Sequence, residues 1–139
     1  MSSVNSSHGP LGVWPKKRGT DMLLGIAMVA SSNTDAAIVL TTLGADADAA
    51  ALARTLVEER LAACVNVLPP MSSLYRWKGR LEQDREQQLV IKTTPGRVAA
   101  LEARLKELHP YELPEFVVLD ATASAAYAAW LRDSTTAGG

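Results

Sequence analysis

Four short runs rich in branched apolar residues constrain this chain most: residues 37–42, 64–68, 89–93 and 116–119. Runs of this length and composition, set off by Gly and Pro, mark strands buried on at least one face. Between the first two runs, Ala49, Leu52, Ala53, Leu56 and Val57 recur at helical spacing as far as Arg60. Between the last two, Val98, Leu101, Leu105 and Leu108 form a second helical stripe. Two βαβ halves in tandem predict an α+β, ferredoxin-like βαββαβ sandwich, one four-stranded sheet with its helices on one face. A short C-terminal helix over residues 124–131, bearing Tyr127 and Trp130, completes the expected domain, bounded at 35–134.

Local signals refine this outline. Gly44 ends the first strand, and Asp46 is expected to cap the next helix, with Asp48 adding the negative charge that a helix N-terminus favours. Pro69-Pro70 closes the second strand. Residues 72–78 alternate, with Tyr75 and Trp77 in register on one face. Residues 81–88 have helical propensity, yet they run straight into the strand at 89–93. A long β-hairpin pairing 72–78 with 81–93 about a Gly79-Arg80 turn fits better, its polar half projecting or pairing with another subunit. Thr94 is expected to cap the second helix with Pro95 in its first turn, Glu102 to pair with Lys106, and Pro110 to end it.

The core has to be assembled mostly from aliphatic and small side chains, because the 139 residues include one Phe, three Tyr and three Trp. Ala-rich faces bury little area each, so a partner subunit is expected to cover part of the surface. Net charge is −1, divided as +2 in residues 1–34 and −3 in the remainder. This balance offers no basic face for nucleic acid and no attraction to an anionic membrane. The single cysteine, Cys64, excludes an internal disulfide framework and fits a reducing, cytoplasmic setting. Its apolar neighbours predict an inert, buried thiol, with metal ligation or redox sensing as the alternative.

Residues 1–34 read as an extension that the fold does not need. Residues 1–20 are rich in Ser, Gly and Pro, and 22–30 form an apolar run behind Lys16-Lys17-Arg18. That run is too short to cross a bilayer as a helix, which takes about 20 residues. A disordered leader, or a start set upstream of Met22 or Met28, is the expectation, and an export signal the alternative. Residues 135–139 are expected to be a tail.

The most unusual stretch is His109-Pro110-Tyr111-Glu112-Leu113-Pro114-Glu115, where two prolines hold a histidine, a tyrosine and two carboxylates at a helix end. A histidine with carboxylates can bind a divalent metal or shuttle a proton, and equally His109 can cap the helix C-terminus. No His-Glu-x-x-His or Cys-x-x-Cys spacing, nucleophile elbow or Gly-rich phosphate loop accompanies it.

Cys64-Val65-Asn66-Val67, Ser73-Leu74-Tyr75-Arg76-Trp77-Lys78-Gly79-Arg80, Ile91-Lys92-Thr93 and the His109 to Glu115 segment, in this order and spacing, resemble the CutA family of divalent-cation tolerance proteins. The likeness runs from about Ala37 to Leu131. It implies a ferredoxin-like subunit, a homotrimer whose sheets pair edge to edge, tolerance of divalent metals, copper binding in some members, and no settled enzymatic reaction. A non-enzymatic protein with no required cofactor is therefore expected. The resemblance also implies, for copper-binding members, a cysteine in the first strand and a second histidine before His-Pro-Tyr; Thr41 and Leu108 stand at those places here. A divalent metal such as copper is then expected at His109 with Glu112 or Glu115, and Cys64, Tyr75, Trp77, Lys92 and Tyr111 are expected at a subunit cleft. Two rival expectations remain: a sensor binding a metabolite among Tyr75, Trp77, Lys92 and Tyr111, and an enzyme using His109 as general base.

Overall fold

The computed structural model describes residues 34–136; the expectations about residues 1–33 and 137–139 lie outside the described residues. Strand β1 (Ala36–Gly44) occupies the middle of the sheet, and its alternation turns Ala37, Val39, Thr41 and Leu43 to one face, where all are buried. It pairs antiparallel with β4 (Arg80–Thr93) on one side and with β5 (Val117–Ala121) on the other. On the far edge of β4 lie β2 (Cys64–Val67) and then β3 (Met71–Trp77). Pro69 and Pro70, which have no N–H to donate, separate β2 from β3. The two therefore act as one interrupted strand, and the βαββαβ order holds.

Helices α1 (Ala49–Glu58) and α2 (Val98–Leu108) cover one face of the sheet. Their Leu56, Leu101 and Leu105 close over Val39 and Ile91 together with Leu61 and Ala62. Fully burying a side chain such as Leu or Ile contributes about 1.5–3 kcal/mol, so this cluster is the main source of stability. A third helix, α3 (Ala125–Thr135), extends past the expected end at Leu131 and packs Leu131 against Ala36 and Ala63.

Several local expectations are corrected. Asp48, not Asp46, caps α1, accepting a hydrogen bond from the Ala51 N–H at 3.0 Å. Arg60 does not continue that helix. It adopts φ 60° and forms a left-handed stop in which Leu61 N–H donates to Leu56 and Arg60 N–H to Val57. A left-handed arginine costs about 1–2 kcal/mol. Its side chain offsets part of this by donating at 3.4 Å to the carbonyls of Asp133 and Ser134 in α3.

The hairpin turn is Lys78-Gly79, with φ 51° and 78°, and Arg80 already pairs with Trp77. Two left-handed residues match the twist of the flanking strands, and glycine takes the second place without strain. Thr94 makes no capping bond, because a 3-10 turn, Pro95–Arg97, intervenes before α2. The Glu102–Lys106 ion pair forms at 3.7 Å. Val57 and Leu108, expected on apolar stripes, are exposed.

Candidate functional site

On the sheet face away from α1 and α2 lies a groove of about 900 Å³. The register pairs Met71 with Glu86 and Ser73 with Asp84, so alternate residues of β3 and β4 share its floor, including Tyr75, Trp77 and Gln88. Its wall is the segment 111–115 that follows α2.

His109 holds that wall in place. It is the C-cap of α2, its N–H donating to Leu105, and it is buried. Its Nδ1 accepts from the Tyr111 N–H at 3.1 Å, so the proton sits on Nε2, which donates to the Thr42 carbonyl at 2.6 Å. The ring also meets Tyr111 edge to face, with centroids 4.8 Å apart. The histidine thus ties the wall to β1.

From that anchor the Tyr111 hydroxyl reaches Glu86 Oε2 at 2.8 Å. Gln88 donates to the Thr41 carbonyl at 2.6 Å and to Glu115 Oε2 at 2.9 Å, a second tie between sheet and wall. Across the hairpin the Tyr75 hydroxyl donates to Asp84. At its mouth Lys78 Nζ lies 3.9 Å from Glu112 Oε1 and 5.6 Å from the centre of the Trp77 ring.

Of the residues singled out in the sequence, Tyr75, Trp77, Tyr111, Glu112 and Glu115 come together along the groove. His109 stands behind the wall instead of lining it. Cys64 and Lys92 are opposite one another on β2 and β4. Lys92 stands roughly 13 Å along β4 from Gln88, the last groove residue of that strand, at about 3.3 Å per residue, and neither it nor Cys64 lines the groove. Asp84, Glu86 and Gln88 were missed, although the carboxylates at 82, 84 and 86 carry the period-two signal of one strand face.

The donor set does not fit a metal ion within one subunit. Both ring nitrogens of His109 are engaged, Glu112 faces Lys78, and Glu115 accepts from Gln88. Among the described residues no three His, Cys, Asp or Glu side chains converge as metal ligands. Thr41 offers a hard hydroxyl that is fully buried and has no hydrogen-bond partner among the described residues, and Leu108 offers no donor.

The chain's three tyrosines all have phenols that resist ionisation. The hydrogen bond to Asp84 pushes Tyr75 up to about 12. Burial raises Tyr111, helped by its bond to Glu86. Burial also raises Tyr127. Each raised phenol contributes stability that is fully present below its unfolded value near 10 and is lost as pH rises through the folded one. At about pH 10.5 the folded protein is therefore expected to show less than half the tyrosinate absorbance of the chain unfolded in guanidinium. Equal absorbance in the two states would contradict these phenol–carboxylate contacts.

Comparison with known proteins places this geometry. The family model described as "CutA1 divalent ion tolerance protein" matches residues 37–134. The divalent-cation tolerance protein CutA of Thermus thermophilus is 46% identical over 99 residues, covering 70% of this chain and 96% of that protein. The protein of the same name from Pectobacterium atrosepticum is 46% identical over 101 residues, covering 72% and 92%. Among solved structures, CutA from Synechococcus elongatus superposes with a TM-score of 0.69 at 42% identity, over 76% of this chain and 95% of that one. A PII-like protein CutA from Nostoc sp. gives 0.68 at 38% identity, over 73% and 98%. With the ferredoxin-type sheet, the long hairpin and the His-Pro-Tyr wall all in place, the chain belongs to the CutA1 divalent ion tolerance family.

Proposed function

We propose that this chain acts as a non-enzymatic, cytoplasmic homotrimer in the cell's response to divalent metal ions. One observation carries the assembly. Among the described residues, the outer edge of β5 and the projecting end of β4 are unpaired and border exposed apolar side chains. On β5, Val117, Val118 and Leu119 are 40–49% exposed. On β4, residues 80–84 extend beyond the end of β1, beside exposed Leu74 and Leu81. Such edges invite pairing with another chain. Because the two edges differ, their pairing is head to tail, and a head-to-tail contact is satisfied at every subunit only when the ring closes. Copper or another divalent ion, in this reading, engages Glu112 or Glu115 together with donors of a neighbouring subunit, while His109 keeps the wall in shape.

A growth assay tests this. A bacterial strain lacking its own CutA-family protein and grown in toxic copper is expected to recover tolerance when it expresses this chain. The variant Leu119→Asp, which puts a charge on the free edge, is expected to fold and yet fail to rescue. Absence of rescue by the unaltered chain would sink the proposal.

A second reading, a sensor that binds a small metabolite, is favoured by the groove itself. Its volume lies within the roughly 300–1,000 Å³ typical of ligand pockets, and it combines aromatic walls with a few polar groups. A metabolite panel read by thermal shift separates it from the metal reading.

A further inference from the structure

The groove's charge and chemistry narrow what it can hold. Among the described residues, five carboxylates line it, from Asp46, Asp84, Glu86, Glu112 and Glu115, against one lining cation, Arg85, and Lys78 at the mouth. Anionic ligands are therefore repelled, and a cation is attracted. A divalent ion needs several oxygens converging at about 2.0–2.6 Å. These carboxylates do not converge in that way. They are spread among the rings of Tyr75, Trp77 and Tyr111, an arrangement suited to a cation carried on an organic frame.

Glu86 sharpens the choice. Its side chain is 8% exposed, and Oε2 receives the Tyr111 hydroxyl. Oε1 has no donor among the described residues, although a carboxylate oxygen accepts up to two hydrogen bonds. That oxygen is not sealed off, since Thr41 Oγ1 alone is a buried side-chain polar atom without a partner among the described residues, so Oε1 stands open to an N–H group that enters the groove. The chain itself displays the rest of the recognition. The Lys78 ammonium stands over the Trp77 ring and beside Glu112, held by an exposed and therefore weak ion pair. A ligand ammonium with better contacts would displace it.

We propose that the groove binds a protonated primary or secondary amine on an apolar chain, with Glu86 accepting its N–H and the Trp77 ring taking its charge in place of Lys78. This rests on the small-metabolite reading of the groove and names the ligand class for it.

Isothermal titration of the full chain with spermidine at low salt tests the assignment. One site per chain is expected. Glu86→Gln, which keeps an acceptor for Tyr111, is expected to weaken binding at least tenfold, as is Trp77→Leu. Lys78→Met, a surface change that leaves the fold intact, is expected to tighten it. Choline, which has no N–H, is expected to bind at least tenfold more weakly than spermidine. The proposal is overturned by absent spermidine binding, by binding that all three variants leave unchanged, or by choline binding equally well. A metabolite without an amine that binds in a Trp77-dependent way would overturn the amine and leave the sensor reading standing. No ligand from the whole panel would remove both.

Discussion

Leu101→Ala is expected to destabilise the fold by about 2–5 kcal/mol, the range for truncating a leucine in a closed core. Leu101 is completely buried between α2 and the sheet, against Val39 and Ile91 and beside Leu56 and Leu105. Its removal deletes the transfer energy of the missing carbons and leaves a hole that two helices and a five-strand ladder cannot easily close. The measurement is urea denaturation followed by circular dichroism, with both proteins at one concentration because assembly adds to apparent stability. A change below about 1 kcal/mol would mean that α2 does not seat on the sheet as described. Leu108→Ala, on the same helix yet exposed, serves as the internal control and is expected to change stability by no more than about 0.5 kcal/mol.

His109→Ala is expected to cost about 2–4 kcal/mol, since it strands the Thr42 carbonyl and the Tyr111 N–H and empties a buried position. The loss also releases the groove wall, so Tyr111 should lose its hold on Glu86 and its phenol should titrate closer to an ordinary tyrosine. His109→Gln, whose amide offers both a donor and an acceptor, should recover part of the stability. Thermal melts of the three proteins without added metal decide the point. If the alanine variant melts like the original, His109 is not the tether described here.

The fold was legible because its signals are local and repeated. The alternation through Val39, Thr41 and Leu43 and the stripe through Leu101 and Leu105 each specify one buried face. The hairpin was expected against the helical propensity of residues 81–88, and pairing with β1 on one edge and β3 on the other is what overrides that preference. The failures have a different physical origin. Asp46 and Asp48 are equivalent in composition, and only the backbone path out of Gly44 decides which side chain meets the Ala51 N–H. The site was legible in its aromatic and His-Pro-Tyr-Glu parts, since Tyr75 and Trp77 are two apart in a strand and Tyr111 to Glu115 are contiguous. Lys92 and Cys64, expected at a subunit cleft, fall outside the groove of a single chain, which residue spacing does not reveal because it does not give the register between β3 and the far end of β4. Glu86 was invisible for the same reason: it becomes part of the site only when Tyr111 arrives from another element.

Both free edges and the groove between hairpin and wall make sense in an assembled protein, so association is the central claim. Light scattering of the full chain measures it most directly. A mass about three times the 14.8 kDa of one chain, falling to that of one chain in Leu119→Asp, is the result this account predicts. A mass of a single chain at micromolar concentration would contradict it, and would leave the exposed Val117, Leu119 and Leu81 without an explanation.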